Sequence, residues 1–290
     1  MTFGVIGNTT KETLADAVTV LLGIAARSGV SVLLHEDLRK VLPSAAERFL
    51  PTGELVEASD ILIAFGGDGT ILSAARMVGC SKRPILGVNL GKLGFMAEAS
   101  LSDLEAIVGE IVRGEHVVEE RMLLAGTTAP DAKPFFAMND VVIDNSRSSR
   151  LIDIAVYVDD DYLVSYSGDG VILATPTGST AYSLAAGGPI VAPTTGVILV
   201  QPISPHSLSA RTVVVPDSSI IRISVEQHQY DVRVTSDGQQ EAALTSPLSI
   251  EVRKANHGVK LIKRKDRSYY DVLRTKLFWG SDIRTNKGKQ

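Results

Sequence analysis

Residues 60–79 read DILIAFGGDGTILSAARMVG. The apolar run Ile61–Phe65 suits a buried strand, and from Ile71 onward apolar residues recur at helical spacing. Between them, Gly66, Gly67, Gly69 and Thr70 surround a single acid, Asp68. A strand, a glycine turn and a helix in direct succession form part of a parallel, helix-covered sheet. The turn has two readings. In the plainer one it is a tight connection with Asp68 as helix N-cap. In the other, glycines without Cβ let a ligand approach the backbone, and the helix start aims free N–H groups at phosphate. Asp68 is the only acid from Ile61 to Ala97. A carboxylate inside a phosphate-binding turn is electrostatically out of place unless it serves a metal ion or a hydroxyl. That oddity favours the second reading.

The flanks carry the same alternation. FGVIG (3–7), VSVLLHE (30–36) and PILGVNL (84–90) read as strands. KETLADAVTVLLGIAARSG (11–29) reads as a helix with a glycine just past its end, and SAAERFLP (44–51) as a short helix. SLSDLEAIVGEIVRGE (100–115) reads as a helix with Ser and Asp near its start. After about residue 120 the pattern turns to short β-rich runs. LIDIAVYVDDDYLVSYSG (151–168) is a hairpin around an acidic turn; GVILATP, GVILVQPI, RTVVVP, SIIRISVE, YDVRVTSDG and PLSIEVRKA follow, separated by turn residues. The expected fold is therefore an α/β N-terminal domain with a parallel sheet, residues 1–118, completed by 264–290. An all-β, sandwich-like C-terminal domain occupies 119–263. A C-terminal helix in RSYYDVLRTKLFWG (267–280) is expected to pack Tyr270, Leu273, Leu277 and Phe278 back on the body, and the final TNKGKQ to fray.

Composition excludes several classes. The 290 residues are 44% hydrophobic and 21% charged, with a net charge of −4. No global field draws in nucleic acid or an acidic membrane surface. A lone cysteine, Cys80, forms no internal disulfide and reads as a small buried residue; it fits a reducing, cytoplasmic setting. MTFGVIGNTT lacks a basic region followed by an apolar stretch, so no signal peptide is expected. Gly170–Ala210 contains no Asp, Glu, Lys or Arg. Gly and Pro interrupt it too often for a membrane helix, and it reads instead as a site wall and subunit contact.

Further motifs offer chemistry. VNLGKLGFMAE (88–98) makes a second flexible turn, with Phe95 either stacking on a flat ring or filling the core. In AMNDVVIDN (137–145), Asn139 and Asp140 offer acceptors and an amide donor, suited to a ribose diol or an adenine edge, or else an Asx turn opening a strand. YSGDGVILATPTGSTAYSLAAGGPI (166–190) supplies Thr175, Thr177, Ser179, Thr180 and Tyr182 as neutral donors for a dinucleotide. Asp159–Asp161 reads as a solvated hairpin turn rather than a cation site, and IKRKDR (262–267) as an exposed charged turn. The five histidines show no metal-ligand spacing, and there is neither a P-loop nor an opening GxGxxG.

Together, GGDGT (66–70), NLGKLGF (89–95), ND (139–140), DGVILATPTGSTAYSLAAGG (169–188) and DGQ (237–239) resemble the NAD kinase family in order and spacing. The likeness runs from about residue 60 to the YYDVLRTKL tail. TPTGSTAYSLAAGG is its most specific part, since lipid kinases and a phosphofructokinase group share glycine turns like GGDGT. The resemblance implies phosphoryl transfer from ATP or polyphosphate to the 2′-hydroxyl of the adenosine ribose of NAD, with Mg²⁺ bridging phosphates. It implies that Asp68 meets that hydroxyl with Gly69 beside it, and that Asn139 and Asp140 hold the adenosine part. Asp169 contacts the dinucleotide, in relatives often across a subunit interface. Thr180, Ala181, Tyr182, Ser183, Leu184 and Ala185 line the pocket, and Arg150 and Gln239 touch the nucleotide. The implied partners are NAD and ATP in a homodimer or homotetramer, with no nucleic acid and no membrane. Asp140 stands where many members have Glu, Ala185 where Ser is frequent, and Ser167 where relatives carry Arg or Gly. Two other classes share part of the pattern. A lipid or sphingoid kinase would need an apolar acyl cleft where 170–190 is hydroxyl-rich, and a silent dinucleotide sensor would not need Asp68.

Overall fold

The computed structural model describes residues 1–43, 48–91, 94–128, 133–145, 150–226 and 230–279. The chain divides into two compact units, Met1–Glu119 with Lys260–Gln290, and Glu120–Val259.

The first unit alternates strand and helix. β1 (Thr2–Gly7), α1 (Leu14–Arg27), β2 (Ser31–His35), β3 (Phe49–Leu50), α2 (Thr52–Ala58), β4 (Ile61–Gly66), α3 (Asp68–Val78), β5 (Ile85–Asn89), β6 (Ala99–Ser100) and α4 (Leu104–Val112) follow in order. Its strands pair in parallel in the order β3–β2–β1–β4–β5. A parallel strand covered on both faces needs apolar residues on both, which is why every residue of β4 is buried. α1 buries Leu14, Ala17, Val18, Leu21, Ile24 and Ala25, a 3–4 spacing, in one core with Phe3, Val5, Phe65 and Val88. Gly29, at φ +66°, ends it as the sequence predicts. A capping box between Ser100 and Asp103 precedes α4.

The second unit is antiparallel. Its elements are β7 (Val117–Thr127, entering from the first unit), β8 (Phe135–Ala137), β9 (Asp140–Asp144), β10 (Ile152–Val158), β11 (Asp161–Gly168), β12 (Gly170–Ala174), the short α5 (Tyr182–Ala185), β13 (Val197–Ile203), β14 (Val213–Pro216), β15 (Ile221–Val225), β16 (Asp231–Ser236), β17 (Gln240–Thr245) and the long β18 (Leu248–Lys263). One sheet runs β14–β13–β12–β9–β16–β17. The other joins β11, β10, β15 and the first residues of β18. Alternate residues of both sheets share one core: Ile152, Ile154 and Val156 from one, Val141, Ile143, Val171 and Leu173 from the other. The acidic turn is a hairpin turn as expected: Asp159 has φ +55° and its Oδ1 accepts the Ile220 N–H at 2.8 Å.

The end of β18 belongs to the first unit, where Leu261 pairs in parallel with Ile85 and Ile262 enters the core. α6 (Tyr269–Leu277) follows behind a Ser268–Asp271 capping box.

Several expectations are corrected. Residues 44–47 of the SAAERFLP helix lie outside the described residues, but Phe49–Leu50 is a strand and the helix begins at Thr52, after Pro51. α6 buries Val272 and Leu273, whereas Tyr270 in its first turn is exposed, and Phe278 is exposed because it is a left-handed C-cap beyond the helix. IKRKDR is not a free turn. Lys263 is largely buried and ion-paired to the buried Glu98, and Arg264 binds Asp103 at 2.6 Å. Cys80 is exposed, since it follows the end of α3 rather than lying on its buried face. TNKGKQ lies outside the described residues. Among the described residues no helix is long and apolar enough to cross a membrane.

Candidate active site

The glycine turn follows from β4 ending at Gly66 and α3 starting at Asp68. Gly67 precedes α3 in an extended conformation, and its carbonyl accepts the Thr70 N–H at 2.9 Å. Asp68 is therefore the first residue of the helix, not its N-cap, and its carboxylate does not cap α3. Its Oδ2 accepts the Phe95 N–H at 2.8 Å and its Oδ1 the Met96 N–H at 3.1 Å. The second glycine turn thus grips the acid of the first. Gly94 makes this possible, because a Cβ there would stand 1.9 Å from Asp68 Oδ1. Asp68 is half-exposed and Gly69 exposed, both at the start of α3. Phe95 is half-buried, and Lys276 Nζ lies 5.6 Å from its ring centroid. Lys92 and Leu93 of NLGKLGF lie outside the described residues.

The second unit holds a cleft of about 460 Å³ lined by Asn139, Asp140, Ala181 and Tyr182, together with Asp144, Arg233, Asp237 and Glu241. Asp140 is 5% exposed. Burial, and then the negative charge of Asp237, push its carboxyl up to about 7 against a hydrogen bond from the Tyr182 N–H. Arg233 clamps Asp144 bidentately, Nε to Oδ1 at 3.0 Å and Nη2 to Oδ2 at 2.7 Å. The Tyr182 phenol is pushed up by burial and by the acids around it.

TPTGST forms the support of this cleft. Thr175 Oγ1 donates to the Met138 carbonyl at 2.6 Å, and the Thr175 N–H donates to the Asn139 carbonyl at 2.9 Å. Ser179 Oγ donates to the Pro176 carbonyl at 2.7 Å and accepts the Val191 N–H at 3.0 Å. Thr177 accepts from the buried Arg121 at 3.4 Å. A Cβ on Gly178 would stand 1.9 Å from the Asn139 oxygen, so the loop fits only as glycine there. Thr175, Thr177 and Ser179 are buried and committed to the protein itself. Thr180 Oγ1 likewise donates to the Thr177 carbonyl at 3.2 Å, so the donor set expected of this run narrows to Tyr182 and backbone groups.

The other predicted residues are placed as follows. Ser183 is fully buried, Leu184 half-buried and Ala185 exposed. Asp169 is half-buried and its Oδ1 receives Asn145 Nδ2 at 3.4 Å. Arg150 is exposed and its carbonyl accepts the same amide at 3.1 Å. Gln239 is exposed after the β16–β17 turn. Ser167 donates to Asp153. None of these lines the 460 Å³ cleft. Sequence reading missed Asp144 and Arg233 as a pair, since 89 residues separate them, and gave Asp237 no role beyond its motif.

Comparison with known proteins places these motifs. The ATP-NAD kinase N-terminal domain profile matches residues 3–116 and the C-terminal domain profile residues 138–264. An NAD kinase of Syntrophotalea carbinolica is 41% identical over 91% of this chain and 95% of its own length. The chain belongs to the NAD kinase family. An NAD kinase of Bacteroides fragilis is 35% identical over 98% of this chain and 100% of its own. A yeast NADH kinase solved with NADH superposes with a TM-score of 0.88 at 26% identity, covering 99% of this chain and 90% of that one. An Archaeoglobus fulgidus NAD kinase solved with ATP gives 0.79 at 25%, covering 96% and 99%. NAD kinase is thus the enzyme class of this chain, and the lipid-kinase and silent-sensor alternatives have no support here.

Proposed function

We propose that this NAD kinase moves the γ-phosphoryl group of ATP to the 2′-hydroxyl of the adenosine ribose of NAD, with Asp68 as its base. Asp68 carries the reading: a lone acid in a glycine turn at a helix start, aimed by two loop amides. A ribose hydroxyl is a weak nucleophile and needs a positioned proton acceptor. In the proposed step the hydroxyl oxygen bonds to the γ-phosphorus, its proton passes to Asp68, and the bond to the ADP oxygen breaks. Alignment and charge neutralisation supply most of the rest. Gly66, Gly67, Gly69 and Thr70 form the phosphate-holding turn at the start of α3, where the Thr70 N–H is already given to the Gly67 carbonyl. Asn139 and Asp140 hold the adenosine part, with Ala181 and Tyr182 beside them. Asp169, Thr180, Arg150 and Gln239 complete the contacts.

Among the described residues there is no cluster of three or more His, Cys, Asp or Glu side chains that could cage a metal. Mg²⁺, when bound, would be held by one or two carboxylates and the phosphates of its nucleotide and would neutralise their charge. The charge-free run 170–210 supports a homodimer or homotetramer, and the single cysteine supports a cytoplasmic setting. Incubating pure protein with NAD, Mg²⁺ and either ATP or polyphosphate, and following NADP, tests the reaction; no NADP from either donor overturns it. Asp68→Asn should lower turnover by about 10² or more while NAD still binds. Near-normal turnover would make Asp68 structural.

A further inference from the structure

Asp237 stands at the β16–β17 hairpin turn, where Asp237 and Gly238 both have positive φ, +53° and +62°, and the Gln239 N–H donates to the Ser236 carbonyl at 3.0 Å. That is the chemistry of an Asp-Gly hairpin turn, and turn formation alone would account for an aspartate. Its side chain does more. Oδ1 accepts the Asn139 N–H at 2.7 Å and the Asp140 N–H at 3.3 Å, and Oδ2 accepts the Met138 N–H at 3.0 Å. The Asp237 N–H donates in return to the Asp140 carbonyl at 3.0 Å. A hairpin turn about a hundred residues away in sequence therefore fastens the peptide that carries Asn139 and Asp140. It also sets one carboxylate against another that is almost wholly buried.

We propose that Asp237 is a positioning residue for the dinucleotide: it fixes the Met138–Asp140 backbone through three amides and sets its carboxylate beside that of Asp140 at the cleft. This rests on the reading of Asn139 and Asp140 as the adenosine-ribose site. The groups facing Asp140 can be enumerated. Asp237 lies on the β16–β17 turn. Tyr182, at the start of α5, gives its N–H to Asp140 and holds its phenol at the cleft. Asp144 and Arg233, on β9 and β16, neutralise each other as a bidentate pair. Glu241 stands at the exposed rim on β17. Asp237 is thus the acid with the largest influence on Asp140, which, with burial, is held near 7. A ribose hydroxyl donates to a carboxylate but not to the O–H side of a carboxylic acid. NAD binding by the wild-type protein should accordingly weaken as pH falls through about 7.

Asp237→Asn separates this role from turn formation, because Asn-Gly is the strongest hairpin pair. The variant keeps the hairpin, removes the charge, and replaces one of the two acceptor oxygens with a donor. NAD binding to the full-length protein is measured by calorimetry without ATP, from pH 5.5 to 8.5, for wild type and variant, with thermal midpoints and ATP affinity recorded alongside. At pH 8.5 the variant should bind NAD roughly tenfold more weakly, since a charge-assisted bond is lost. The midpoint of its pH dependence should lie lower by about one unit. ATP affinity should stay within about twofold. Asp237→Ala should share the loss of affinity and the lowered midpoint. Equal affinity in variant and wild type, or weaker binding with an unmoved midpoint, overturns the proposal, as does wild-type affinity that does not change across pH 7. Because the readout is binding, a protein that binds NAD as described yet makes no NADP would refute the kinase reading and leave this one standing. Absence of NAD binding at every pH would refute both.

Discussion

Asp140→Asn should make the ligand-free protein more stable at pH 8 than wild type, and by less at pH 5. Asp140 is nearly inaccessible, and its carboxyl is pushed from the ordinary 3.8 to about 7, first by burial and then by Asp237. An acid whose folded value exceeds its unfolded value holds an extra proton in the folded state between the two. Stability is therefore fullest below 3.8, falls as pH rises towards 7, and levels off above it. At about 1.36 kcal/mol per unit, the three-unit gap costs the wild type about 4 kcal/mol at pH 8, and roughly 3 of these are lost between pH 5 and pH 8. Asparagine cannot ionise. Its oxygen still accepts the Tyr182 N–H, and its amide can donate to Asp237. Urea unfolding followed by circular dichroism at pH 5 and pH 8, for both proteins, gives a double difference in which titrations not coupled to Asp140 cancel. A gain of about 3 kcal/mol in the variant's favour on going from pH 5 to pH 8 is expected. A double difference below about 1 kcal/mol, or of opposite sign, would refute the picture of a desolvated acid beside a second acid.

Gly94→Ala places a methyl group 1.9 Å from Asp68 Oδ1 and must displace that carboxylate or its loop; turnover should fall by about 10² with the thermal midpoint changed little, as NADP formation and calorimetry would show. Lys263→Ala leaves the buried Glu98 without its ion-pair partner and should cost about 3 kcal/mol in urea unfolding, with less loss in Lys263→Ala/Glu98→Ala. Gly178→Ala drives a methyl group into the Asn139 carbonyl; it should raise KM for NAD about tenfold or more and leave KM for ATP near its wild-type value.

The sheet of the first unit was legible because β1, β4 and β5 are buried on both faces and must read as unbroken apolar runs. α2 was not, since TGELVEA is short, contains a glycine and follows a proline, all of which signal a turn. The buried face of α6 was not legible because Tyr270, Leu273, Leu277 and Phe278 fit a helical spacing on paper, whereas burial falls on Val272 and Leu273 and Phe278 lies past the helix end. Within the candidate site, GGDGT, ND and TPTGSTAY were legible as motifs, for each is local in sequence. Their internal wiring was not. No spacing rule announces that Asp68 is gripped by Phe95 and Met96, or that Asp237 holds residues 138–140, because those bonds span 27 residues and nearly a hundred. Hydroxyls were overvalued as ligand donors for a related reason: whether Thr175 or Ser179 faces a ligand or its own backbone is decided by tertiary packing.

The first unit is discontinuous, with Leu261 pairing to Ile85 and Ile262 in its core. On the ribosome this imposes an order. When residue 259 leaves the tunnel, every strand pairing within the second unit can already form, whereas the first unit, though its chain emerged earlier, still lacks the segment that completes the β5 side of its sheet. At about 5–20 residues per second, roughly 140 residues of synthesis keep that β5 edge waiting for many seconds. The part of that edge that β6 does not pair is a template for foreign strands while it waits. A nascent chain stalled within the second unit therefore exposes that edge longest, and the first unit becomes complete only when β18 past Leu261 and then α6 have emerged.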